Sequence, residues 1–158
     1  MGCVRVESKI FREYRFKFYL NANHYLIFGN RQGETHPHTW EFALDILISK
    51  TKYVEFGMFE KAIEQFFAPY QNSIMNYKEP FDSIVPTLEN MVEYFSHKLR
   101  IIVKEIGGEL IRMEGSETPA RSYIIDFYNE REKGEELESY SKETISGVID
   151  SMIDDIIG

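Results

Sequence analysis

With a single cysteine, Cys3, the 158-residue chain can form no internal disulfide. It also lacks any apolar run longer than a few residues, and a membrane-spanning helix needs about 20. The opening Met1-Gly2-Cys3-Val4-Arg5-Val6 has no apolar stretch of a secretory signal, and Val6 stands where a myristoylation signal requires Ser or Thr. Together these absences imply a reducing cytoplasm and no membrane partner. Positive charge is scarce as well: the formal net charge is −8, which argues against nucleic acid as the main partner. Nine acids and three bases fall between Tyr128 and Gly158, so the tail alone carries −6 of that charge. The rest is near neutral and compatible with an anionic small substrate. There is no internal repeat and no low-complexity tract. What is present suits one domain with a real core, since 43% of residues are hydrophobic and 15% aromatic.

Tyr14, Phe16, Phe18, Leu20 and Ala22 alternate with Arg15, Lys17, Tyr19 and Asn21, the period-two pattern of a half-buried antiparallel strand. Trp40, Phe42, Leu44, Ile46 and Ile48 repeat it against Glu41, Ala43, Asp45 and Leu47. Between the two, residues 29–34 read as a loop, which predicts a wide hairpin. Residues 57–68 carry Phe59, Ala62, Ile63, Phe66 and Phe67 at helical spacing, ended by Pro69. After a loop over residues 70–84, Leu88, Met91, Val92, Phe95, Leu99, Ile102 and Ile106 define the clearest helix, closed by Gly107-Gly108. Two short strands are expected around 109–115 and 121–128, separated by Ser116-Glu117-Thr118-Pro119. The order β-β-α-α-β-β predicts an α+β domain over residues 1–128, a four-stranded antiparallel sheet with two helices on one face. Residues 129–158 read as an acidic linker and an extra amphipathic C-terminal helix through Ile145, Val148, Ile149, Met152, Ile153 and Ile156, with Ser141 as its cap.

Three of the four histidines fall at the rim of the first hairpin. His24 continues the even-numbered face of the first strand, and His36 and His38 open the even-numbered face of the second. Residues two apart in a strand point to one side, so the three imidazoles can converge. Three imidazoles with an open position suit a catalytic zinc. Histidines on an apolar strand face can equally be hydrogen-bonded core residues, and spacing alone leaves both readings open.

Four ordered segments resemble the motifs of the 6-pyruvoyl-tetrahydropterin synthase family: Asn21-Ala22-Asn23-His24, His36-Pro37-His38, Pro86-Thr87-Leu88-Glu89-Asn90 and Ser116-Glu117-Thr118. The family includes the 6-carboxy-tetrahydropterin synthase of queuosine biosynthesis. This resemblance implies a tunnelling fold, in which subunits join sheets into a barrel as two stacked trimers, and zinc bound by His24, His36 and His38. It further implies lyase chemistry on a dihydropterin such as dihydroneopterin triphosphate. Glu117 would accept hydrogen bonds from the pterin, and Thr87 would line the same pocket facing a neighbouring subunit. Without the resemblance, Thr87 and Glu89 read as a helix cap and Glu117 as a turn residue, with Glu114 as a weaker alternative anchor.

The departures bear on activity. The family's cysteine base is absent, and the matching loop, Arg31-Gln32-Gly33-Glu34-Thr35, offers Gln32, which cannot take a proton. The family's Asp-His relay is replaced by Gln71 and Asn72, and the middle glycine of its H-G-H motif by Pro37, which stiffens the chain. His97, in the long helix, reads as a surface residue. Glu34 is the candidate base, either catalytic or merely solvated. Two functions follow: a zinc-dependent pterin lyase with altered acid–base residues, or a catalytically degenerate zinc- or pterin-binding oligomeric module. A GTP cyclohydrolase is disfavoured, because that class brings cysteine to its zinc.

Overall fold

A computed structural model describes residues 13–48 and 55–127. Cys3, the linker over 130–138 and the expected C-terminal helix with Ser141 lie outside the described residues, as does the expected boundary at 128/129.

The two alternating segments form long strands, β1 (Glu13–His24) and β4 (His36–Ile48), paired antiparallel without interruption from Glu13↔Leu47 to His24↔His36. The intervening loop contains its own two-residue ladder, β2 (Ile27–Phe28) with β3 (Arg31–Gln32), turned at Gly29 with φ of 62°. Left-handed φ is costly for residues with a Cβ, which is why glycine suits that turn. Strands β5 (Gly108–Thr118) and β6 (Arg121–Asp126) complete an antiparallel sheet of order β1-β4-β5-β6. The expected α+β order is therefore present among the described residues.

Strand parity fixes which face is covered. Leu20, Trp40, Phe42, Leu44, Ile46, Leu110 and Met113 are fully buried against two helices. Helix α1 (Phe56–Phe67) contributes Phe59, Ile63 and Phe67, and α2 (Leu88–Glu105) contributes Met91, Val92, Phe95, Leu99 and Val103. Phe59, Ile63 and Phe67 recur every four residues, as do Met91, Phe95, Leu99 and Val103, with Val92 beside them, so one stripe of each helix faces the sheet. Contact is close enough that a Cβ on Gly115 would run into Val92 and Phe42.

Two segments differ from the sequence expectation. Strand β5 does not stop at Gly115. A register shift between Gly115 and Thr118 carries it through Ser116-Glu117-Thr118, leaving a tighter turn before β6. The loop after α1 is also more ordered than expected. It forms short 3-10 turns at Ala68–Tyr70 and Met75–Tyr77 and docks on the outer edge of β1, through Asn72 N–H to Asn21 O at 2.7 Å and Asn23 N–H to Ser73 O at 2.8 Å.

Candidate metal centre

His24 ends β1 and His36 begins β4 directly opposite it, while His38 faces Ala22. One ring nitrogen from each of the three lies within 4.8 Å of the others. The rings meet edge to face, with centroids 4.5 Å (His24–His36), 4.9 Å (His24–His38) and 4.8 Å (His36–His38) apart.

Backbone carbonyls fix two of the tautomers. His24 Nδ1 lies 2.8 Å from Pro86 O, and His36 Nδ1 lies 2.9 Å from Glu34 O. A carbonyl oxygen only accepts, so both Nδ1 atoms must donate. In the neutral rings both Nε2 atoms are then bare lone pairs, and these face each other at 2.9 Å. Two lone pairs at that distance repel unless a cation or an extra proton lies between them. Burial disfavours the proton on His24: the ring is 1% exposed, and burial pushes its pKa below the usual histidine range. The Pro86 carbonyl opposes that shift and the neighbouring His36 and His38 reinforce it. Ligand nitrogens around zinc sit about 3.3 Å apart, given Zn–N bonds of about 2.0–2.1 Å in a tetrahedral site. The three side chains fit such an ion with adjustments on the order of an ångström, and neutral imidazole is the form that ligates.

The surroundings hold these rings in place. The Thr87 hydroxyl accepts the Asn90 N–H at 3.1 Å and caps α2, and the Asn90 side chain donates to Val85 O at 2.8 Å. This closed turn presents the Pro86 carbonyl to His24. Behind His24, the buried Asn76 side chain both accepts from Tyr25 N–H and donates to Tyr25 O, each at 2.9 Å. Trp40 packs under the triad, 5.0 Å from the His24 ring and 5.2 Å from that of His38. Its indole N–H donates to Glu117 Oε1 at 3.1 Å. Glu117 is thus half-buried in a strand on the triad's side of the sheet, not in a solvated turn. Glu114 faces the other way and pairs with Arg15 at 3.2 Å.

The remaining candidates divide. Glu34 lies next to the triad, its carbonyl engaged by His36 and its residue exposed. Gln32 is exposed in β3. Gln71 is occupied by the backbone of β1, accepting from Asn21 N–H and donating to Tyr19 O, both at 3.0 Å. Asn72, with φ of 57°, joins Asn21, Asn23, Pro37, His38 and Thr39 around an open groove of about 400 Å³. His97 is remote from the triad, 3.9 Å from Glu93 and beside Phe127.

Sequence reasoning missed the Pro86 carbonyl, the Asn76 clamp and the Trp40–Glu117 contact. A backbone carbonyl leaves no side-chain signature. Asn76, by contrast, is a polar residue amid Ile74-Met75 and Tyr77, and a buried carboxamide demands partners. Trp40 shares strand parity with the histidines, and its N–H demands an acceptor.

The family model described as 6-pyruvoyl tetrahydropterin synthase matches residues 13–127. Among solved structures, the fold is similar to 6-pyruvoyl tetrahydropterin synthase from Caenorhabditis elegans, at 14% identity and a TM-score of 0.61, over 74% of this chain and 96% of that one. An uncharacterised protein from Wolinella succinogenes aligns at 11% identity and a TM-score of 0.57, over 75% and 99% of the respective chains. A Plasmodium vivax 6-pyruvoyltetrahydropterin synthase, in which a catalytic glutamate is replaced by alanine, aligns at 12% identity and 0.53, over 74% and 98%. At these identities the likeness is one of fold. No curated protein sequence matches this one.

Proposed function

Because the chain belongs to the 6-pyruvoyl tetrahydropterin synthase family, we propose that it is a zinc-dependent, lyase-type enzyme acting on a dihydropterin, such as dihydroneopterin triphosphate, in the cytoplasm. The observation that carries this reading is the facing pair of Nε2 atoms on His24 and His36, 2.9 Å apart, on rings whose Nδ1 atoms both lie against backbone carbonyls. A cation relieves their repulsion, and His38 supplies a third donor within reach. Bound there, zinc supplies a Lewis acid that polarises an oxygen of the substrate side chain.

The chain's own residues do the rest. Glu117 accepts from the amino and ring N–H groups of the pterin, a role suited to a carboxylate with one oxygen already engaged. Thr87 shapes the turn beside the pocket. Glu34 takes the proton from the substrate side chain. Its place next to the triad supports this, as does the glutamate named as a catalytic residue in the Plasmodium vivax synthase. Purified protein should contain one zinc per chain and turn over dihydroneopterin triphosphate or a relative. Glu34→Ala should abolish turnover while leaving zinc content intact, because the carbonyl that orients His36 survives. Metal-free protein that ignores chelators would sink the reading.

A second reading, a catalytically degenerate zinc- or pterin-binding module, is favoured by Gln71, whose carboxamide is committed to backbone partners. Binding across a pterin panel with no turnover would select it. Both readings include assembly into a hexamer of two stacked trimers, supported by the outer edge of β6 and by that of β1 before Tyr19, which pair with nothing among the described residues, since such edges invite pairing. Light scattering that returns a monomer at micromolar concentration would refute the assembly.

A further inference from the structure

Trp40 sits between the two halves of the candidate site, and no sequence motif assigned it a part there. It follows His38 by two residues on β4, so its side chain shares the triad's face, and it is fully buried. An indole N–H only donates, and a buried donor without an acceptor is costly. The acceptor at hand is Glu117 Oε1, 3.1 Å away. Gly115, opposite Phe42, lies on the helix-covered face, and Glu117, two residues further along β5, shares that face and comes level with Trp40. The same indole ring contacts His24 at 5.0 Å and His38 at 5.2 Å between centroids.

We infer that Trp40 is the positioning residue of the site: its indole N–H fixes one oxygen of Glu117 and leaves Oε2 for the N–H donors of a ligand, while its ring ties that carboxylate to the histidine triad. A phenylalanine at this position would fill much of the space and donate nothing, so the carboxylate could rotate away from the ligand. The inference rests on the proposed pterin function only for the identity of that ligand. The contact itself can be tested without one.

The chain has one tryptophan, so the full-length protein gives a single indole N–H signal in a proton–nitrogen correlation spectrum. Glu117→Gln should move that signal upfield, because a neutral amide oxygen is a weaker acceptor than a carboxylate. A signal that stays in place overturns the inference whatever the ligand. A second measurement replaces Trp40 by benzothienylalanine, in which sulfur stands for the N–H and the ring shape is kept. Zinc content should be unchanged, and the unfolding midpoint should fall by a few degrees, since the fold itself loses a hydrogen bond to a charged group. Affinity for 7,8-dihydroneopterin should fall roughly fivefold, the scale of ordering one side chain that the indole no longer holds. Glu117→Gln alone should cost more, since it also weakens the direct contact to the ligand, but the tryptophan replacement made on top of it should cost little further, because the carboxylate that Trp40 holds is gone. Unchanged affinity, or two losses that simply add, overturns the inference. Should the unaltered protein bind no dihydroneopterin while the indole signal still answers to Glu117→Gln, the pterin reading fails and the Trp40–Glu117 contact stands.

Discussion

At His24 two requirements meet: the ring is buried, and its Nδ1 proton is claimed by the carbonyl of Pro86. Together they set a neutral imidazole with Nε2 turned to its neighbours, the condition a metal ligand needs. Parity within β1 and β4 made the convergence of His24, His36 and His38 legible in the sequence, because residues two apart in a strand must share a face. The tautomers were not legible, since they depend on carbonyls 2 and 62 residues away along the chain. The consequence is measurable. A metal that binds only the folded chain raises its stability, so a chelator should lower the unfolding midpoint by about 5 °C or more. His36→Ala removes one donor without opening the core, and its midpoint should be indifferent to the chelator. A midpoint that moves equally in both proteins would place the metal elsewhere.

Among the elements, β1, β4, α1 and α2 were readable because each buries one stripe against a continuous core. The ends of β5 were not. Ser116, Glu117 and Thr118 have no apolar alternation, and the strand is carried through them by its pairing to β4 and β6, which the local sequence does not encode. At the start of α2 it is the alternative reading of Thr87 that the structure shows: Thr87 is the N-cap, its side chain accepting from Asn90 N–H. In the folded chain that cap has a second effect, because the turn it closes is the one that holds the Pro86 carbonyl on His24. Thr87→Ala should therefore cost about 1 kcal/mol of stability, as lost caps do. It should also speed zinc loss to a chelator, whereas Thr87→Ser, which keeps the hydroxyl, should restore both. Loss of stability with unaltered zinc release would show that the cap serves the helix alone.

Across the described residues, the face of the sheet turned away from α1 and α2 carries a row of alternating charge, Arg15, Asp45, Arg112 and Asp126, one from each strand in register. Asp45 reads from the sequence as an exposed polar position, yet its side chain is 2% exposed. Arg15 binds it at 2.7 and 2.9 Å, and Arg112 at 2.8 Å, both reaching across from neighbouring strands. No pattern within β4 could reveal this, because the covering side chains come from β1 and β5. Burial alone would push the Asp45 pKa up, but the hydrogen bonds and charges of the two guanidinium groups outweigh it and hold the pKa below the ordinary 3.8. A carboxyl whose folded pKa is depressed binds fewer protons in the folded than in the unfolded chain. Its contribution is therefore complete above the unfolded value and is lost as pH falls through the folded one. Asp45→Asn leaves two arginines facing a neutral amide. At pH 7 it should cost about 2–3 kcal/mol, below the full penalty for a broken buried pair because Arg15 stays partly in water. Chemical denaturation at a series of pH values should find the gap between the two proteins steady from pH 7 down to about pH 4 and narrowing below it, as Asp45 takes up its proton. A gap that held its size to pH 2 would mean that the row is held by shape and packing rather than by the Asp45 charge.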